Sequence, residues 1–164
     1  MATTNATVVL SSVGFSLVAV ASVVPVLDTN IYASLDALHT NDLLFGSMAR
    51  QPGGSGTIRR MTVIDGADQG ADGVLHLFTA ALANTTHTAN AAFAPTDADA
   101  LLYVGSIAFP TYQDFDTSKA GSTVPNLAYR CADGSQSLYG VLQTLGTPTY
   151  GASSLKVVLL ADLD

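Results

Sequence analysis

TVIDGADQGADGVLHLF, residues 62–78, sets three aspartates and three glycines between two apolar runs. On its near side Met61, Val63 and Asp65 alternate with Thr62 and Ile64; on its far side Leu75 and Leu77 alternate with His76 and Phe78. Alternation of period two is the mark of a strand with one buried face, so two strands flank the loop. The loop is therefore either a metal site or a β-connection. Calcium loops place oxygen ligands at alternating positions and close with a bidentate carboxylate. Here Asp65, Asp68 and Asp72 are spaced by three and four, and no glutamate closes the set. Gly66, Gly70 and Gly73 suit unusual backbone angles, and short aspartate side chains bond nearby amides. The stretch reads as a hairpin turn or longer β-connection in preference to a metal site, with Asp65, Asp68 and Asp72 kept as the only metal candidates.

The same logic extends outward. Alternating or continuous apolar runs separated by turn residues predict strands near residues 14–24, 43–48, 58–64, 74–80, 103–109, 126–131, 137–145 and 154–164. In 155–163, Leu155, Val157, Leu159, Ala161 and Leu163 share one side. Residues 96–102 read as a short helix capped by Thr96 or Asp97. Residues 51–56, with three glycines and a proline, form a flexible connection. About eight strands with loops of mixed length predict an all-β antiparallel sandwich, jelly-roll-like, with one short helix.

Composition agrees. All 13 acidic residues are aspartate and none is glutamate, a bias toward turns and caps and away from helices. A chain of 164 residues supports one domain, residues 1–164. Hydrophobic residues make up 48% and charged ones 12%, about half the charged fraction of roughly 25% found in ordinary soluble domains. Some of the apolar surface is expected to meet a partner. A formal net charge of −7 with six basic residues, of which only Arg59 and Arg60 are paired in sequence, argues against a nucleic-acid partner, whose phosphates need clustered Lys and Arg.

Residues 7–27 are apolar enough to resemble a secretion signal, but no Lys or Arg precedes them. They are short and serine-interrupted for a membrane span. We read a folded strand, with residues 1–27 as an apolar N-terminal strand or an arm that reaches a neighbouring subunit. Phe15, Leu17, Val18, Val20 and Val24 are the interface candidates.

No phosphate loop, dinucleotide fingerprint or nucleophile elbow is present. His39, His76 and His87 lack the spacing of a helical zinc pair, and His76 is expected to face outward or toward a neighbour from its strand. Cys131, the only cysteine, reads as a small buried apolar residue. Six Tyr and six Phe but no Trp give little to stack on a sugar. No catalytic residue and no cofactor is expected.

The segments SVVPVLDTNIYASLDAL (22–38), MTVIDGADQGADGVLHLF (61–78) and SLYGVLQTLGTPTYGASSLKVVLL (137–160) resemble small structural proteins of tailed-bacteriophage virions. The resemblance implies a capsid decoration or cement protein on the exterior of the virion, bound to the major capsid protein and to itself, as a homotrimer, without catalysis. It brings no active-site residues. The alternative is a tail or adhesion-associated β-sandwich that binds carbohydrate or protein.

Overall fold

The computed structural model describes residues 3–10 and 17–164. Its strands are β1 (Thr3–Leu10), β2 (Leu17–Val24), β3 (Leu43–Phe45), β4 (Ser55–Asp65), β5 (Gly73–Phe78), β6 (Tyr103–Ala108), β7 (Gln113–Asp114), β8 (Lys119–Thr123), β9 (Leu127–Arg130), β10 (Leu138–Thr144) and β11 (Leu155–Leu163), with one helical turn, α1 (Asp97–Ala100). The larger sheet runs β1-β2-β11-β4-β8-β7, with β9 also on β4, and the smaller runs β3-β10-β5-β6. The pairings are antiparallel.

The chain crosses repeatedly between the sheets. The order β2-β11-β4-β8 faces β3-β10-β5-β6, which is the pair of Greek keys that defines a jelly roll. The expected fold is therefore the observed one, extended by β1 beside β2. Because β2 lies between β1 and β11, residues 17–24 belong to this chain's own sheet. The apolar run read as one strand is two antiparallel strands, and Ser11, Ser12 and Gly14 interrupt it in the sequence.

The opening stretch is a connection but not a hairpin. β4 and β5 lie in different sheets, and the seven residues 66–72 between Asp65 and Gly73 carry the chain across a core about 10 Å thick. Two-residue loops join neighbouring strands about 4.8 Å apart, and a sheet-to-sheet crossing needs more. Both flanking strands aim their alternate residues at the same core: Met61 and Val63 from one sheet, Leu75 and Leu77 from the other.

That core also takes Ala19, Ala21 and Val23 from β2 and Leu155, Val157, Leu159 and Ala161 from β11. β4 keeps its inner face despite a bulge: Leu160 pairs with Arg60 and Ala161 with Ile58, so Arg59 is the extra residue. Its guanidinium Nε binds Asp162 Oδ2 at 2.7 Å and Nη1 reaches Asn126 at 3.1 Å. The outer neighbour of β4 changes from β9 to β8 at the same place, as bulges re-aim a strand locally.

A second, smaller core lies on the outer face of the smaller sheet. Phe78 and Val141 are buried there with Ala37 and Phe93, packed by Leu82, Leu102 and Tyr139. Much of its cover comes from residues 79–102, the excursion that contains α1. Thr96 caps that helix by accepting from Asp99 N. The Asp99 carboxylate turns back to accept from Asn84 N at 2.9 Å and Asn84 Nδ2 at 3.1 Å. Bonds from Thr85 and Asn84 hold its pKa below the usual carboxylate range.

Candidate functional site

Of the interface candidates, Leu17 packs against the main core, Phe15 lies outside the described residues, and Val18, Val20 and Val24 alternate with the buried Ala19, Ala21 and Val23. They therefore face outward from the larger sheet. On β11 the outward positions are Lys156, Val158, Leu160 and Asp162. Register brings these rows together, with Val20 opposite Leu160, Ser22 opposite Val158 and Val18 opposite Asp162. Ile64, 37% exposed, stands opposite Lys156 on the other flank of β11. An antiparallel sheet with one solvated face ordinarily carries polar residues there. Here Val18, Val20, Val24, Val158, Leu160 and Ile64 share the face with Ser22, Thr62, Arg60, Lys156 and the Arg59–Asp162 pair, Val20 and Leu160 standing directly opposite one another.

The three aspartates of residues 65–72 part company. Asp65 is fully buried and its two oxygens accept from Ala67 N at 2.9 Å and Gly70 N at 2.8 Å. Asp68 binds Lys119 Nζ at 2.8 Å, and Lys119 also reaches Asp114 at 2.7 Å; these two carboxylates raise the Lys119 pKa. Asp72 is exposed and contributes its backbone carbonyl to Leu145 N. Beneath this end of the sandwich lie the hydroxyls of Tyr112 and Tyr150, buried without a hydrogen-bond partner. Burial foremost, with Asp65 adding to it, pushes both phenols up.

Sequence spacing separates His39 from His87, yet the fold sets their rings 5.7 Å apart, edge to face. His39 Nδ1 lies 2.8 Å from Asn41 O, and Nε2 accepts from Leu142 N at 2.9 Å, so the proton sits on Nδ1. Burial lowers its pKa to about 4. His87 Nε2 stands 3.7 Å from Asp42 Oδ1, and neither atom has a hydrogen-bond partner. The other Asp42 oxygen accepts from Leu82 N at 2.8 Å. Burial raises the Asp42 pKa, and the Leu82 amide and His87 oppose it. The pair borders a polar cleft of about 350 Å³ with Thr40, Asn41, Thr85 and Thr86. Among the described residues no group of three or more His, Cys, Asp or Glu side chains is placed to hold a metal ion. Cys131 is buried and burial raises its thiol.

His76 does point outward from β5, onto an aromatic cleft of about 280 Å³ formed with Phe78, Phe93, Pro95, Ala100, Tyr103 and Gln143. No linear motif announces this cleft or the His39–Asp42–His87 cluster, because each is assembled from distant segments. The available signal is residue type alone: aromatic and histidine side chains in a chain otherwise poor in functional groups. No family model, no curated protein and no solved structure matches the chain, so strand order itself carries the fold assignment.

Proposed function

We propose that the protein is a non-enzymatic structural protein of a tailed-phage virion, seated on the capsid exterior and bridging subunits of the major capsid protein. One observation carries this reading: the apolar outer face of the larger sheet, where Val18, Val20, Val24, Val158, Leu160 and Ile64 occupy positions that a solvated sheet gives to polar residues. Fully burying an exposed Val, Leu or Ile side chain yields roughly 1.5–3 kcal/mol; these residues, apart from Ile64, are already half-buried and yield only part of it, so a few such contacts make a weak dock. Repetition around a shell turns weak docks into a clamp through effective concentration. The jelly roll suits the role, since the fold recurs in capsid domains. The resemblance of residues 22–38, 61–78 and 137–160 to phage virion proteins supplies the particular assembly, and with it the homotrimer.

The test joins imaging to calorimetry. Cryo-electron microscopy of intact particles should place the chain on the shell with the β2–β11 face inward, and shells lacking it should melt at lower temperature. The variant Val20→Lys with Leu160→Lys should stay folded and leave the shell. A chain absent from the particle, or a shell equally stable without it, overturns the proposal.

The second reading, a tail or adhesion-associated binding module, is favoured by the aromatic cleft beside α1. Localisation of the chain at the tail in the same images would select it.

A further inference from the structure

We propose that the β2–β11 face of the larger sheet docks on an acidic protein surface, one that sets a carboxylate against Arg60 and another against Lys156 with apolar side chains between them. The proposal rests on the capsid reading for the site and adds the chemistry of what meets it there.

The distribution of charge carries it. The chain holds six basic residues against 13 aspartates, yet Arg59, Arg60, Arg130 and Lys156 all stand on this one face. Lys156 alternates with the buried Leu155 and Val157 on β11, and Arg60 precedes the buried Met61 on β4. Arg130 lies opposite Ser55, whose neighbour Gly56 is buried. Two of these cations are already matched: Arg59 binds Asp162 at 2.7 Å and Arg130 reaches Asp133 at 3.3 Å. Among the described residues, the side chains of Arg60 and Lys156 have no ion-pair or hydrogen-bond partner. The acid that remains is Asp164, which accepts from Ser55 Oγ at 2.7 Å at the end of the sheet. Residues 1–24 bring no charged side chain from β1 or β2.

Arg60 stands opposite Leu160, and Lys156 stands opposite Ile64, further along β4. At about 3.4 Å per residue and about 4.8 Å between strands, the Cα atoms of the two cations are roughly 14 Å apart. Val158 lies between them on β11, and Val20 flanks Leu160 on β2. In water both cations are hydrated. Any cover on this face strips that water, and a charge buried without a partner is far costlier than a buried pair. A neutral or basic surface would leave both unmatched, so the cover that fits is acidic at the two ends and apolar in the middle. A second copy placed face to face fails the requirement. In such a contact the same patch meets itself, and each copy brings two unmatched cations against the one remaining carboxylate of Asp164. Complementary charge at a rim sets register and encounter rate more than raw affinity, which suits a dock repeated around a shell.

The test is an NMR titration of isotope-labelled full-length protein with a random copolymer of glutamate and tyrosine, which offers carboxylates among apolar rings, and separately with a copolymer of lysine and tyrosine. The acidic polymer should shift Val20, Val158 and Leu160 signals saturably, and the basic one should leave them unmoved. Raising sodium chloride from about 0.05 to about 0.5 M shortens the screening length about threefold and should weaken the binding. Arg60→Glu with Lys156→Glu, at exposed positions, should melt like the parent and bind about tenfold more weakly or worse. Should that variant misfold, Arg60→Gln with Lys156→Gln serves, with a loss of about threefold expected. No saturable shift, a stronger response to the basic polymer, or undiminished binding in the folded variants overturns the proposal. So does sedimentation in which the parent self-associates and the charge-reversed variant is monomeric, because the face then belongs to a second copy. Intact particles separate this outcome from the capsid reading. A chain held on the shell as firmly at high salt and after charge reversal ends the acidic match and leaves the capsid reading. A chain absent from the particle that still binds the acidic polymer does the reverse.

Discussion

Replacing Asp65 by alanine removes the fully buried side chain of the crossing from β4 to β5. Its carboxylate accepts from two backbone amides, Ala67 N at 2.9 Å and Gly70 N at 2.8 Å, and is fully buried. Hydrogen bonds to charged groups contribute about 1.5–3 kcal/mol each, which bounds the loss at roughly 6 kcal/mol. Gly66, Asp68 and Gln69 are exposed, so water recovers part of it, and we expect about 3 kcal/mol. Asp65→Asn keeps one acceptor but sets an amide donor against the other N–H, for about 2 kcal/mol. Asp72→Ala, at an exposed position, should stay within about 0.5 kcal/mol. Urea unfolding followed by tyrosine fluorescence reads the series: with a slope of about 2 kcal/mol/M, Asp65→Ala moves the midpoint down by roughly 1.5 M. An Asp65→Ala cost below about 1 kcal/mol, or one equal to that of Asp72→Ala, refutes the turn-capping argument. If calcium stabilises the parent and any of the three aspartate variants abolishes the gain, the loop is a ligand set instead.

Deleting residues 1–24 should abolish the cooperative thermal transition, because Ala19, Ala21 and Val23 are core residues and β11 loses a paired neighbour; a truncated chain that still melts cooperatively would make the segment an accessory arm. His39, held at about 4 against an ordinary 6.5, takes up its proton later in the folded chain than in the unfolded one. Its contribution, about 3 kcal/mol, is present above pH 6.5 and is lost as pH falls toward 4. Asp42, whose pKa is raised, acts in the opposite sense, so the difference between the parent and His39→Gln across that window is the measurement; equal slopes would contradict the burial argument. A double-mutant cycle of Asp42→Asn and His87→Gln should show coupling of about 1 kcal/mol, and a value under about 0.3 kcal/mol would mark their 3.7 Å approach as incidental.

The strands that declared themselves in the sequence are those whose own side chains build the core. β11 alternates five buried positions with four outward ones, and β4 shows the same period on either side of Arg59. β8, Lys119–Thr123, has no fully buried residue; it is a strand because β4 supplies its ladder, a fact about the neighbour and not about KAGST. β7, two residues long, depends in turn on β8. The site was legible only in part. Val18, Val20 and Val24 could be assigned to a face by parity, but Val158 and Leu160 join them only through the register of β11 on β2. The loop aspartates looked alike, and only the fold distinguishes the buried Asp65 from the Lys119-bound Asp68 and the exposed Asp72.

Both sheets put apolar residues on their outer faces, and the chain treats the two cases differently. On the smaller sheet Phe78 and Val141 are outward, and Phe93, Leu82 and Leu102 of the long β5–β6 excursion close over them into a second core. On the larger sheet Val18, Val20, Val24, Val158 and Leu160 are outward, and none of them joins either buried cluster. Among the described residues nothing corresponds to the excursion on that side. The excursion 79–102 buries the outer apolar face of the smaller sheet, and the burial is favourable because apolar surface is removed from water. On the larger sheet the outward Val18, Val20, Val158 and Leu160 are half-buried, and the capsid proposal has the shell complete their burial. Lysine at positions 20 and 160 tests it, because the two substitutions spoil that face, should leave the chain's own melting unchanged, and should release it from the shell.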